Sequence, residues 1–304
     1  MNKHALRSDG ILLSTALIWG FAFVAQRVGM EYLGPFLFNG VRFALGCLVL
    51  LPLIAIPKRG RSPLSWELDS GGRKAAVRGS LLAGMLLFGG ASLQQAGIVY
   101  TTAGKAGFIT GLYVVIVPFL GLFWRQRTNA GTWTGAVLAA AGLYFLSVTE
   151  QLTISSGDFL VFIGAFFFAG HVIAIGWLSP RMDSLRLACI QYAACSLFSL
   201  IAAAFVETAS LENLRGALPA ILYGGVMSVG VAYTLQVVAQ RSAHPAHAAI
   251  ILSLESVFAA LGGWLLLKEI LSFRQFLGCV LMLSGMLISQ LWVYLIEGRS
   301  LKGG

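Results

Sequence analysis

Thr101-Thr102-Ala103-Gly104-Lys105-Ala106-Gly107 falls on Ala243-His244-Pro245-Ala246-His247-Ala248-Ala249 when the chain is slid along itself by 142 positions. The register extends in both directions. Gln94 meets Gln236 at the same offset, and Gly135 and Gly142 meet Gly278 and Gly285 at 143. Asp9 meets Asp158 at 149, as Arg42-Phe43 meets Gln191-Tyr192. One polar match between apolar segments would mean nothing, but a near-constant offset carrying matched Asp, Gln and paired Gly marks an internal repeat. The chain reads as one block written twice, over 1–150 and 151–304.

Of 304 residues, 58% are hydrophobic and 11% charged, against roughly a quarter charged in a soluble domain. A hydrocarbon core about 30 Å thick takes about 20 apolar residues per helix. Ten such stretches are present, at approximately 10–28, 35–56, 79–100, 106–124, 133–149, 157–177, 187–206, 218–240, 247–267 and 274–295. Each block therefore holds five, and an odd number of crossings turns the second block upside down. The predicted fold is an all-α membrane protein of ten transmembrane helices, arranged as two inverted five-helix repeats around a central cavity. That geometry belongs to transporters, whose substrate site lies at the midplane between inverted halves. A signal peptide would share the basic lead of the first stretch, Lys3 and Arg7. The stretch lacks a small-x-small cleavage site and carries Trp19, Phe21 and Phe23, so it is read as a retained helix.

The net charge of +9 is distributed like that of a membrane protein rather than a nucleic-acid binder. With the N-terminus inside, the inner tails and connectors hold 15 Lys/Arg, whereas the outer ones hold Lys105, Arg215, Lys268 and Arg274. Positive charge concentrates on the inside, so both termini are placed in the cytoplasm. Six of the fifteen, Lys58, Arg59, Arg61, Arg73, Lys74 and Arg78, share the 2–3 connector, where they suit anionic lipid headgroups. Its repeat-mate, the 7–8 connector, holds only Arg215, which supports inversion. Cys47, Cys189, Cys195 and Cys279 all fall within apolar stretches and read as small packing residues, with no metal or disulfide spacing. No phosphate-cradling glycine loop followed by Lys-Ser/Thr occurs, and no nucleophile–base pair or H-E-x-x-H. Neither ATP drive, nor a cofactor, nor an intramembrane enzyme is indicated.

Ionisable groups at bilayer depth cost about 2.5–3.5 kcal/mol each on insertion scales, so an embedded one needs a reason. Glu255 is the carboxylate lying deepest in a stretch, on one helical face with His247, Ile251, Phe258 and Gly262. A low-dielectric setting disfavours its charge and prepares it to take up a proton; the competing reading is a carboxyl that braces the bundle. Gln94 and Gln236 occupy matched positions, and an amide in hydrocarbon must find partners. They either face one cavity together with Tyr233, one turn before Gln236, or bond across helices. His171 shares a face with Gly164, Phe168 and Ile175, and its repeat-mate is Ala22. This break in symmetry marks a specialised cargo contact or a hydrogen-bonded packing residue. Trp19, Phe23 and Gln26 share a face of the first stretch, and Thr110 and Tyr113 lie close together in the fourth. Aromatic rings beside sparse polar groups suit a pocket for a largely apolar small molecule, and also ordinary packing. The candidate substrate-binding residues are Trp19, Phe23, Gln94, Tyr113, His171, Tyr233, Gln236 and Glu255, with Glu255 also the candidate for proton coupling.

The chain resembles the EamA family of the drug/metabolite transporter superfamily over almost its whole length. The resemblance is carried by Ala16-Leu17-Ile18-Trp19-Gly20, by Pro35 through Asn39 to Arg42-Phe43, and by Thr101 to Ile109. It continues through Leu254-Glu255-Ser256-Val257-Phe258 to Trp264 and Lys268-Glu269, and through Gly278 to Gly285. Two positions depart from the pattern. Ser256 stands where proline is usual, which removes the ground for a proline kink in the ninth stretch, and Lys268 stands where glycine is frequent. The resemblance implies a ten-helix, monomer-like fold in a bacterial plasma (inner) membrane. Its cavity is lined by helices 1, 3, 4, 6, 8 and 9, with helices 5 and 10 away from the path. It also makes helix 2 peripheral, so Arg42 is read as a structural intramembrane charge, with a substrate carboxylate as the alternative partner. It implies a secondary transporter exporting amino acids or related small amphipathic metabolites. The alternative within transport is efflux of drugs or lipophilic cations. The expected partners are a small-molecule substrate and the lipid bilayer.

Overall fold

The computed structural model describes residues 3–56, 70–123, 129–147, 155–208, 210–270 and 272–292. Every element among the described residues is helical. In order they are α1 (Lys3–Gly29), α2 (Pro35–Ala55), α3 (Ser70–Ile98), α4 (Ala103–Gly111), α5 (Tyr113–Phe123), α6 (Ala130–Ser147), α7 (Ser156–Leu178) and α8 (Ser184–Val206). Then follow α9 (Leu211–Gly216), α10 (Leu218–Leu222), a π-helical stretch Tyr223–Tyr233, α11 (Thr234–Ala239), α12 (Pro245–Leu252), α13 (Glu255–Leu267) and α14 (Phe273–Trp292). Eight spans are long and apolar enough to cross a membrane: Leu6–Gly29, Pro35–Ala55, Gly71–Ile98, Ala103–Phe123, Ser156–Leu178, Ser184–Val206, Leu218–Ala239 and Pro245–Leu267. The fifth and tenth predicted stretches correspond to α6 and α14, which are helical and pack on each other but are not among the eight.

Apolar side chains such as Leu48, Phe205 and Phe276 stand exposed on the outer surface, as contact with hydrocarbon requires. Phe166 and Phe167 share that surface while Phe168 turns inward. α3 packs on α7 and α8, and α2 on α8 and the π-helical stretch. α1 packs on α13, the π-helical stretch, α11 and α12, and α4 on α13. Small residues permit the closest approaches. A Cβ added at Gly142 would lie 2.6 Å from the Gly278 carbonyl oxygen, and one at Gly285 would lie 2.7 Å from that of Gly135.

Helix ends that cannot lean on water are capped from within the protein. Pro35 opens α2, and both carboxylate oxygens of Glu207, just past α8, accept from the backbone N–H groups of Phe36 (2.8 Å) and Leu37 (2.7 Å). Thr102 caps α4 by accepting from Lys105 N–H, and His244 caps α12 by accepting from Ala246 N–H at Nδ1. Burial and then the nearby His247 hold His244 below the ordinary histidine range, so it keeps the lone pair this cap needs. Arg27 donates to the carbonyls of Ile98 and Val99 at the end of α3. It is thus a cap on a neighbouring helix.

Three features depart from the expectations. α3 begins at Ser70, so Arg73, Lys74 and Arg78 ride on a helix instead of forming part of a connector. Lys58, Arg59, Arg61, Arg125, Arg127, Arg299 and Lys302 lie outside the described residues, as does the Cys279 side chain. The fourth span is broken at Leu112 (φ −58°, ψ −16°), six residues before Pro118. The ninth is broken at Ser253 and Leu254 (ψ −16° and −14°) with no proline nearby, yet His247, Phe258 and Gly262, on either side of the break, all meet α1. Ser253 Oγ donates to the Ile250 carbonyl at 2.8 Å, and Ser256 N–H bonds back to Ser253 at 3.1 Å. This local competition tightens the turn where a proline would otherwise be needed. Lys268 ends α13 in the left-handed region, φ 56°, a conformation in which glycine is the usual residue.

Candidate functional site

The broken spans and the π-helical stretch aim their polar side chains at one cavity. Trp19, Phe23 and Gln26 reach it from α1, Gln94 from α3, and Thr110 and Tyr113 from the two sides of the α4/α5 break. Phe168, His171 and Val172 come from α7, Ser228 and Tyr233 from the π-helical stretch, Gln236 from α11, and Glu255 from the first residue of α13. Arg42 is the contribution of α2. The cavity is tight in this conformation, with a volume of about 30 Å³, room for water rather than for the solutes that fill sites of roughly 300–1,000 Å³. All eight sequence-derived candidates lie on its wall, and Gln26, Arg42, Thr110, Phe168, Val172 and Ser228 join them. Ser228 is the least legible of the additions, since a small hydroxyl in an apolar stretch carries no distinctive signal. α2 is therefore not wholly peripheral: Arg42, 2% exposed, faces the same space as Glu255, 4% exposed.

An aromatic cluster forms one wall. Trp19 and Tyr233 lie 4.4 Å apart between ring centroids, with Phe43, His171 and Tyr192 within 6.3 Å of the Tyr233 ring. Trp19 Nε1 donates to the Ser228 carbonyl at 3.3 Å, using an acceptor on the π-wound backbone. Several polar groups are already committed. Gln94 Nε2 donates to Thr110 Oγ1 at 2.9 Å, and His171 Nε2 lies 2.8 Å from Gln191 Oε1 on α8. Others are not. Glu255 Oε1, the Tyr113 hydroxyl, Gln26 Oε1 and both amide atoms of Gln236 are buried with no hydrogen-bond partner. Tyr113 faces Glu255 without completing a well-formed bond. These atoms give the cavity wall polar groups beside its aromatic ones. Among the described residues, no group of three His, Cys, Asp or Glu is placed to hold a metal.

Away from the cavity, two ties join helix starts. Lys105 Nζ lies 3.6 Å from Asp158 Oδ2, linking α4 to α7, and His247 Nε2 lies 2.9 Å from Asp9 Oδ1, linking α12 to α1. The α2–α8 contact is tied twice. Cys47 Sγ lies 3.2 Å from Cys189 Sγ, the two unbonded, and Ser196 Oγ donates to the Gly40 carbonyl at 2.8 Å.

Known proteins are similar to this chain. An uncharacterized transporter of Archaeoglobus fulgidus is 33% identical over 95% of this chain and 87% of its own length. A probable amino-acid metabolite efflux pump of Salmonella typhimurium is 29% identical over 54% of this chain and 52% of its own. A solved crystal structure superposes with a TM-score of 0.74 at 18% identity, covering 94% of this chain and 96% of that one, and so shares the fold. A family model of transporters, not enzymes, matches twice in succession, over residues 7–148 and 155–291. With both halves matched and nearly the whole chain covered, this multi-pass membrane protein belongs to the EamA-like transporter family.

Proposed function

We propose that this chain is a secondary, non-ATP carrier that exports amino acids or related small amphipathic metabolites by alternating access. The path runs through the central cavity of a monomeric bundle of ten transmembrane helices, between inverted five-helix repeats at 1–150 and 151–304. The observation that carries this reading is the enclosed meeting of Arg42, Glu255, unpartnered amide groups and aromatic rings within the spanning helices. Ionisable side chains at that depth are rare and costly, and they line substrate or ion paths. The Salmonella typhimurium relative, a probable amino-acid metabolite efflux pump, supports an amino-acid-like cargo.

Inversion is supported by contacts that map onto one another when the halves are exchanged at the offsets of 142–149. Lys105–Asp158 becomes His247–Asp9, Gly142–Gly278 becomes Gly285–Gly135, Cys47–Cys189 becomes Ser196–Gly40, and the break at Leu112 becomes that at Leu254. Reciprocal contacts of this kind are what a two-fold relation generates. The two ties then sit at opposite ends of the bundle, one on each side of the bilayer. Both termini are assigned to the cytoplasmic side of a bacterial plasma membrane, an orientation that the concentration of Lys and Arg on the inner connectors supports. Within the cavity Glu255 serves as the proton-coupling group.

The test is counterflow in proteoliposomes with a panel of amino acids and amines, repeated with Glu255→Gln at two pH values. Exchange by the native chain that varies with pH, and loses that variation in Glu255→Gln, is the expected result. A variant that exchanges like the native chain at both values overturns the coupling assignment. Tags in the 2–3 and 7–8 connectors should label from opposite sides; labelling from one common side overturns the inverted architecture.

A further inference from the structure

We propose that Arg42 anchors a carboxylate of the cargo, so that the cavity selects molecules bearing a carboxylate and a nearby amine and rejects amines that lack the acid group. This rests on the carrier reading above and narrows it to a substrate class.

The guanidinium is buried, yet no carboxylate among the described residues lies within ion-pairing distance of it. Its Nε donates to Asn39 Oδ1 at 2.9 Å, and Asn39 is fixed in turn by donating from Nδ2 to the Ala91 carbonyl at 3.0 Å. The Phe38 and Phe43 rings lie 5.6 and 5.0 Å from the guanidinium carbon. One edge of the fork is therefore held and its faces are covered. Among the described residues the hydrogen bond seen for this guanidinium is the one from Nε, and Arg42 lies on the wall of the cavity. A positioned guanidinium with its outer edge free is the geometry that binds a carboxylate through two parallel hydrogen bonds. A buried charge left without a counter-ion carries a large free-energy cost, and a bound anion offsets that cost.

The repeat explains why this group is unpaired. The counterpart of Arg42 in the second half is Gln191, and Gln191 is bonded by His171 from the neighbouring α7. The counterpart of His171 in the first half is Ala22, whose methyl offers no partner. One half thus ties the side-chain oxygen of Gln191 to His171, leaving its Nε2 unpartnered, while the other holds a stronger donor, Arg42, with an alanine where that histidine would stand. Duplicated positions that diverge as a pair, toward a free cation facing a cavity, are what a binding group requires and a packing role does not.

The opposite pole is Glu255. It is not paired with Arg42, and Tyr233 stands within electrostatic reach of both. Glu255 Oε1 and both amide atoms of Gln236 are unpartnered. A zwitterion bound with its acid group on Arg42 and its amine toward Glu255 would lay its carbon skeleton against the Trp19 and Tyr233 rings. A lipophilic cation would leave the guanidinium without a counter-ion and add a second positive charge to the same space.

The experiment compares leucine, leucine methyl ester and isopentylamine in counterflow with the native protein, followed by Arg42→Gln and Arg42→Lys. The expected result is exchange of the acid but not of the ester or the amine, with a loss of about tenfold or more in Arg42→Gln, as removal of a charged hydrogen bond implies. Arg42→Lys should be impaired as well, since a point charge does not reproduce the fork. Should Arg42→Gln fail to fold, ligand-induced thermal shift of the native protein decides, with stabilisation by leucine and none by its ester. Native exchange or stabilisation that ignores the acid group, or a folded Arg42→Gln that exchanges leucine normally, overturns this inference alone. If the native chain exchanges none of the three and no member of the wider panel above, the carrier reading falls and this inference falls with it.

Discussion

Replacing Gly20 with alanine should separate α1 from α13 at the point where Glu255 is held. The added Cβ would sit 2.2 Å from Phe258 Cβ and 2.8 Å from both the Glu255 carbonyl oxygen and the Phe258 carbonyl carbon. Ordinary contact begins at 3.4 Å, so the two helices must part by about 1.2 Å. None of these atoms can rotate aside, because each is backbone or attached directly to it. Overpacking of this kind costs about 1–3 kcal/mol, and a collision with backbone belongs at the upper end. Alanine recovers about 1 kcal/mol of helix propensity. The balance is a loss of about 2 kcal/mol, which lowers the unfolding midpoint by about 3 °C for a chain of 304 residues. Gly10 lies on the same helix with nothing within 4 Å of its added Cβ, so Gly10→Ala is the matched control and should be neutral or slightly stabilising. Thermal unfolding in detergent, followed by fluorescence-detected size exclusion, reads both. If Gly20→Ala is as stable as Gly10→Ala, then α1 and α13 do not meet as described and the placement of Glu255 loses its support.

Lys268→Gly should stabilise the protein by about 1 kcal/mol, because φ 56° penalises a side chain and leaves glycine unstrained. The same thermal assay reads it, and an unchanged or lower midpoint would show that the α13 terminus is wound differently. His244 gives the protein a measurable sensitivity to acid. Its folded value lies below that of the unfolded chain, so the unfolded chain takes up the proton first. The contribution of the cap is present above about pH 6.5 and fades as pH falls below that value. Between about pH 7.5 and about pH 5.5 the midpoint of the native chain should therefore drop further than that of His244→Asn, which can cap without titrating. Equal drops would count against the cap.

Much of the fold is legible because hydrocarbon imposes length and apolarity on whatever crosses it. α2 begins at the residue where its stretch was read. The start of α3 was misread for the same reason: hydropathy reports the wetted boundary, and a helix can continue beyond it with Arg73, Lys74 and Arg78 on its surface. The breaks at Leu112 and Ser253 and the π winding of Tyr223–Tyr233 leave hydropathy unchanged, so they could not be seen that way. Ser253, one serine among many, diverts a single carbonyl and alters the course of the ninth span. Around the cavity, the eight candidates stood out because polar or amphipathic side chains in an apolar run need a destination. Arg42 stood out equally but was given the wrong surroundings, since its helix was expected at the periphery. The spacing from Asn39 to Arg42, three residues on one face, was the available sign that both are held facing inward.

The π-helical stretch has one more consequence. Its counterpart across the duplication, α3, is regularly wound, so the two halves are unequal springs. In a carrier with equal halves, the inward-facing and outward-facing forms would be degenerate, and the empty protein would rest in each for half the time. Under the alternating-access mechanism proposed above, unequal halves would remove that degeneracy and give the empty protein a preferred posture, with affinities that differ between its two mouths. Detailed balance limits what this achieves: the asymmetry sets how quickly solute leaves or re-enters at a given concentration, while the direction of net flow stays with the gradients.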